Sequence, residues 1–175
     1  PHDVTNISVK NRSETVLILE WDKVNNDSNY SYLLSYNNQN VTISGLEGGS
    51  TVTHMVQNLT AGTEYNFTLY TVFKEVLSAG YSFSNVTTPL DVTNISVKNR
   101  SETVLILEWD KVNNDSNYNY LLSYNNQNVT ISGLEGGSTV THTVQNLTAG
   151  TEYNFILYTV FKEVLSAGYS FSNVT

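Results

Sequence analysis

Residues 1–87 of this 175-residue chain recur without a gap as residues 89–175. Four positions differ between the copies: His2/Leu90, Ser31/Asn119, Met55/Thr143 and Thr68/Ile156. The chain must therefore fold essentially one sequence twice. Solenoid and propeller-blade repeats run about 20–50 residues, so a copy of this length is a domain rather than a sub-domain unit. It is long enough to close on a core of its own. The expected domains are residues 1–88 and 89–175. Pro89 marks the joint, because a residue without an N–H stops sheet pairing.

Within one copy the governing pattern is alternation. Tyr65, Phe67 and Leu69 fall on one parity, and Asn66, Thr68 and Tyr70 on the other. Such period-two patterning after the turn Thr60-Ala61-Gly62-Thr63 predicts a half-buried strand. Similar runs predict strands at Val4–Lys10, Thr15–Trp21, Tyr30–Tyr36, Asn40–Ile43, Thr51–Val56 and Tyr81–Val86. Leu17, Leu19 and Trp21 share one inward parity, as do Tyr32, Leu34 and Tyr36. The segments between them, such as Asp22–Asn29 and Gly45–Gly49, carry the Asn, Asp, Ser and Gly of turns. Seven short strands at this spacing predict an all-β fold: two tandem seven-stranded antiparallel β-sandwiches. Leu59 lies six residues before Tyr65, which suits a tyrosine whose hydroxyl reaches back to upstream backbone. Trp21 and Tyr65, with Trp109 and Tyr153 in the second copy, are the expected core anchors. Three of the four differences, at positions 31, 55 and 68, fall on the parity assigned to solvent.

The chain carries 16 acidic and 8 basic side chains, net −8, which disfavours a nucleic-acid ligand because phosphates need clustered Lys and Arg. No apolar run approaches the 18 or so residues of a membrane-spanning helix, so no membrane insertion is expected from this segment. Cysteine is absent, which excludes disulfides and thiolate metal sites. Asn-x-Ser/Thr acceptors are abundant. The first copy has Asn6, Asn11, Asn26, Asn29, Asn40, Asn58, Asn66 and Asn85; the second has Asn94, Asn99, Asn114, Asn128, Asn146 and Asn173. Two are lost in the second copy, through Asn119 in place of Ser31 and Ile156 in place of Thr68. Fourteen acceptors in one chain point to N-linked glycans and to a secreted or cell-surface origin.

Catalytic chemistry finds little purchase. His54 and His142 are one position in two domains, so they do not converge on one metal within a domain; a hydrogen-bonded structural histidine is expected. Asp22–Asp27 lacks the ligand spacing, the Gly and the terminal Glu of a calcium loop. Gly45–Ser50 has no Lys and precedes no helix that would receive a phosphate. No G-x-S-x-G occurs, and no acid–base pair accompanies a candidate nucleophile. Glu20 and Asp22 flank a core Trp and face outward. No catalytic residue, metal or cofactor is expected. What remains is binding: Phe73–Gly80 reads as a loop with Val76 and Leu77 near its tip, and Val164 and Leu165 in the second copy, as possible protein contacts.

Trp21 closing the second strand, Tyr32-x-Leu34-x-Tyr36 in the third and Leu59-x-x-Gly62-x-x-Tyr65 before the sixth resemble the fibronectin type III pattern, end to end in each copy. Ala61 departs from it, since the family usually places proline there. The resemblance implies an immunoglobulin-like sandwich of a three-stranded and a four-stranded sheet. The texture NISV…LTAGTEYNFTLYTV…NVTTP is similar to ectodomain repeats of receptor-type protein tyrosine phosphatases. That implies a non-catalytic spacer or interaction module on the extracellular side of the plasma membrane. Its partners would be a protein ligand or neighbouring ectodomain repeats, with a membrane span and a phosphatase domain beyond Thr175. Two other readings stand beside it: a ligand-binding pair of the cytokine-receptor kind, without its W-S-x-W-S signature or cysteines, and an accessory module of a secreted polysaccharide-degrading enzyme.

Overall fold

The computed structural model describes residues 1–46, 49–134 and 137–175. Two compact units emerge, Pro1–Thr87 and Thr88–Thr175. In the first, β1 is Ile7–Arg12, β2 Leu17–Asp22, β3 Tyr30–Tyr36, β4 Gln39–Ser44, β5 Thr51–Val56, β6 Glu64–Phe73, β7 Val76–Leu77 and β8 Tyr81–Val86. The second repeats the series as β9 Ile95–Arg100, β10 Leu105–Asp110, β11 Tyr118–Tyr124, β12 Gln127–Ser132, β13 Thr139–Val144, β14 Glu152–Phe161, β15 Val164–Leu165 and β16 Tyr169–Val174. In each unit one antiparallel sheet has the order β1-β2-β5, and the other β4-β3-β6 with β7 and β8 both on β6.

The alternation in the sequence becomes the core directly. Leu17, Leu19 and Trp21 of β2 face Tyr32 and Leu34 of β3 and Tyr65, Phe67 and Leu69 of β6 in one buried cluster. The second unit builds the same cluster around Trp109, Tyr120 and Phe155. The Trp21 and Tyr32 rings meet edge-on, with centroids 5.6 Å apart at 74°, the arrangement that aligns a positive ring edge with a negative face. A buried Leu contributes about 1.5–3 kcal/mol against exposure, so these clusters dominate the stability of each unit.

The expected tyrosine contact is present: the Tyr65 hydroxyl accepts the Thr60 amide at 2.7 Å, and Tyr153 does the same for Thr148 at 2.7 Å. This bond ties the β5–β6 connection to the start of β6. Tyr32 pins another connection, its hydroxyl accepting the Val24 amide at 3.0 Å.

Two strand expectations shift. The first ladder begins at Ile7, not Val4, and a register shift between Val9 and Asn11 carries it on to Arg12. Val4 still packs inward, 2% exposed, ahead of the strand. More consequentially, Phe73–Gly80 is not an open loop. After Phe73 the chain turns through Lys74 and Glu75, both at positive φ (45° and 68°), and returns as β7 with Val72 opposite Leu77. A bulge at Ser78–Gly80 then separates β7 from β8. The last strand therefore lies on β6 in two pieces, giving eight strand segments per unit where seven strands are expected.

That bulge is bonded at both ends. The Thr71 amide donates to Ser78 Oγ and the Ser78 amide to the Thr71 carbonyl, both at 2.9 Å. The Gly80 amide donates to Asp3 Oδ1 at 2.9 Å, which fastens the N-terminal segment to the bulge. Gly80 has φ of +101°, and a Cβ there would lie 2.7 Å from the Tyr70 ring, so only glycine fits.

Candidate interaction surface

The register brings three connections to one end of each sandwich. Tyr30 pairs with Phe73 and Ser31 with Ser44, so the segment before β3, the segment after β4 and the Lys74–Glu75 turn are neighbours. This end carries exposed apolar side chains: Leu46 at 64%, Val76 at 59% and Leu77 at 47%. In the second unit Leu134 is 64% and Leu165 42% exposed, while Val164 is half-buried. The turn stands on an aromatic base, with the Tyr30 and Phe73 rings 4.7 Å apart and Lys74 Nζ 5.4 Å from the Phe73 centroid. Such an end combines a rigid scaffold, a cation, an anion and small apolar tips, which suits a protein contact better than a small-molecule site.

Leu46 and Leu134 add to the contact residues expected from the sequence. Their signal was present, since a Leu inside a Gly-rich turn has little core to enter. Glu47 and Gly48 of that turn, with Glu135 and Gly136, lie outside the described residues.

The other candidates are placed as follows. Trp21 and Trp109 are 1% exposed, and Tyr65 and Tyr153 are 7% exposed. The acceptor asparagines are exposed, apart from the half-buried Asn85 and Asn173. Asp27 is committed locally: its carboxylate accepts the Asn29 amide at 2.8 Å and the Asn29 side chain at 3.0 Å. Among the described residues no three His, Cys, Asp or Glu side chains gather as a metal site. Glu20 and Glu108 meet Lys10 and Lys98 at 3.6 Å on the surface, pairs that contribute little to stability.

His54 departs from expectation. It is half-buried on β5 opposite Leu19, yet its imidazole makes no hydrogen bond within the described residues. Burial lowers its pKa below the ordinary imidazole value, as it does for His142. The neighbours that parity supplies are apolar, so desolvation acts without a compensating partner.

Two of the four sequence differences, at positions 31 and 68, fall on strands of the larger sheet. Thr68 Oγ1 lies 3.3 Å from Ser82 Oγ in the first unit, whereas its counterpart Ile156 offers methyl groups beside Gly168. Asn119 gains a bond that Ser31 lacks, its Oδ1 accepting the Gly133 amide at 3.2 Å.

A three-plus-five arrangement of short antiparallel strands, closed by a tyrosine contact and a buried tryptophan, defines a two-sheet interaction module with no reaction centre among the described residues. The chain belongs to the fibronectin type III family, whose profile, described as Fibronectin type III domain, matches residues 2–85 and 90–171. Domains of this family are non-catalytic, and this chain is two of them in tandem. Mouse receptor-type tyrosine-protein phosphatase eta is 31% identical over 109 residues, covering 62% of this chain and 9% of that protein. Among solved structures, a two-domain fibronectin type III segment of chicken tenascin aligns over 98% of this chain and 99% of its own, at 19% identity and a TM-score of 0.52. The chicken CNTN1 FN1–FN3 domains align over 98% and 66%, at 16% identity and a TM-score of 0.46.

Proposed function

We propose that this chain is a spacer and interaction segment in the extracellular part of a glycosylated cell-surface receptor of the receptor-type tyrosine phosphatase kind. The observation that carries the reading is the set of fourteen acceptor asparagines, all but Asn85 and Asn173 exposed, on modules that perform no chemistry. A bulky, hydrated sugar on an exposed strand or turn keeps a stalk soluble and blunts its sheet edges against pairing with other chains. The similarity to the mouse phosphatase supports the narrower assignment, in which the enzyme activity belongs to another part of the protein. Protein contact is assigned to the end bearing Leu46, Val76 and Leu77, where Val76 and Leu77 stand exposed on a fixed hairpin beside the segment that carries Leu46.

Secretion of the chain from animal cells, followed by peptide mass spectrometry of each acceptor, tests the proposal. Glycans on most of the fourteen sites are expected. A secreted chain with its acceptors almost all empty would remove the argument for a cell-surface origin and raise the accessory-module reading to equal standing.

A further inference from the structure

Each unit carries a surface groove lined by residues of both sheets. In the first unit Asn6, Ser8, Trp21, Asp22 and Tyr81 are among its lining, within a space of about 470 Å³. The second unit has the same groove, lined by Asn94, Ser96, Trp109, Asp110 and Tyr169 among others, at about 450 Å³. Asn6 and Ser8 are the first and third residues of an N-glycosylation acceptor, so the acceptor residue itself lies at the groove. Tyr81 enters from the opposite sheet and is 38% exposed, its ring held by stacking on Phe83 at 6.0 Å and 26°. Asp22 is exposed and acceptor-only when ionised.

We propose that the first N-acetylglucosamine of a glycan on Asn6 lies back in this groove against Tyr81, and that of Asn94 against Tyr169. The inference rests on the glycosylated reading above and deepens it. In the transfer, the Asn6 amide nitrogen bonds to C1 of the sugar. The C1–oxygen bond to a lipid-linked pyrophosphate donor breaks, the pyrophosphate leaves with the electron pair, and the amide gives up one proton. The sugar product is amphipathic: one face of the pyranose shows C–H groups and its rim shows hydroxyls and an acetamide. A tyrosine ring suits the first and a carboxylate the second. The tether also removes most of the entropy cost of bringing sugar and ring together, so a contact too weak to hold a free saccharide suffices here. The sugar thereby becomes a strut between the segment that leads into β1 and the start of β8. None of the four positions that differ between the copies lines the groove, so the effect is expected twice in the chain.

The test uses the full chain secreted from animal cells and trimmed enzymatically to one N-acetylglucosamine per site. Asn6→Gln, Tyr81→Ser and the double variant are compared by thermal unfolding, and the acetyl methyl resonance of the Asn6 sugar is read by NMR. The expected result has three parts: Asn6 is occupied, its acetyl methyl shows an aromatic ring-current shift that Tyr81→Ser abolishes, and Asn6→Gln lowers Tm by a few degrees only when Tyr81 is present. An occupied Asn6 with an unshifted methyl and equal Tm losses in both backgrounds would overturn the proposal. So would an empty Asn6 beside filled acceptors elsewhere, which leaves the ectodomain reading standing. Emptiness at every acceptor would overturn both.

Discussion

Tyr65 shows how one hydroxyl fixes a crossing. Its ring is buried and its oxygen accepts the Thr60 amide at 2.7 Å, so Tyr65→Phe keeps the packing and strands a backbone donor. The expected cost is about 1–3 kcal/mol, read as a lower denaturation midpoint for the first unit with an unchanged m-value. His54 and His142 make a second prediction, about pH. Burial holds both imidazoles below their unfolded pKa of about 6.5, so the unfolded chain binds more protons between the folded and unfolded values. Stability is complete above that window, falls as pH drops through about 6.5, and levels off once the folded-state pKa is passed. His54→Gln with His142→Gln should flatten the Tm profile between about pH 5 and 7; a profile that stays sloped would place its origin elsewhere.

Hairpin turns separate what local sequence says from what the sheet imposes. Asn37–Asn38 joins β3 to β4 with both residues at positive φ (47° and 59°), a conformation Asn tolerates. Lys74–Glu75 adopts the same conformation with residues that do not favour it, because β6 and the last strand must meet in that register. The left-handed region costs a non-Gly residue roughly 1–2 kcal/mol, against about 0.5–1 kcal/mol for the Lys74 contact with Phe73. Replacing the pair by Asn-Gly should therefore raise the stability of the first unit by about 1 kcal/mol, measured by equilibrium denaturation. Unchanged or reduced stability would show that the Lys74 contact outweighs the strain. The core strands were legible in the sequence, and Asn-Asn is a residue pair that such a turn accepts. The Lys-Glu turn was not legible, since neither residue marks a turn and the apolar Val76–Leu77 after it reads equally well as a loop tip.

At the scale of the molecule, the two copies compete for each other's strands. β8 and β16 have the same sequence, YSFSNV, and each is an edge that pairs only with its own β6 or β14. Nothing chemical tells one from the other during folding. Refolding from denaturant should therefore produce a fraction of chains with exchanged strands, slow to correct and independent of protein concentration. A chain limited to residues 1–88 should lack that phase. Its persistence there would assign the slow step to something within one unit.

The sequence by itself determined the number of domains, the sandwich class and the inward face of most strands, because period-two alternation has one burial solution when two sheets pack. It also determined the acceptor asparagines, which are a local motif. Only the tertiary structure decided that Phe73–Gly80 is a bonded hairpin and bulge, that Leu46, Val76 and Leu77 share one end, and that Asn6 shares a groove with Tyr81. Those facts depend on which strands become neighbours and in what register, and a register is settled by the whole core closing at once.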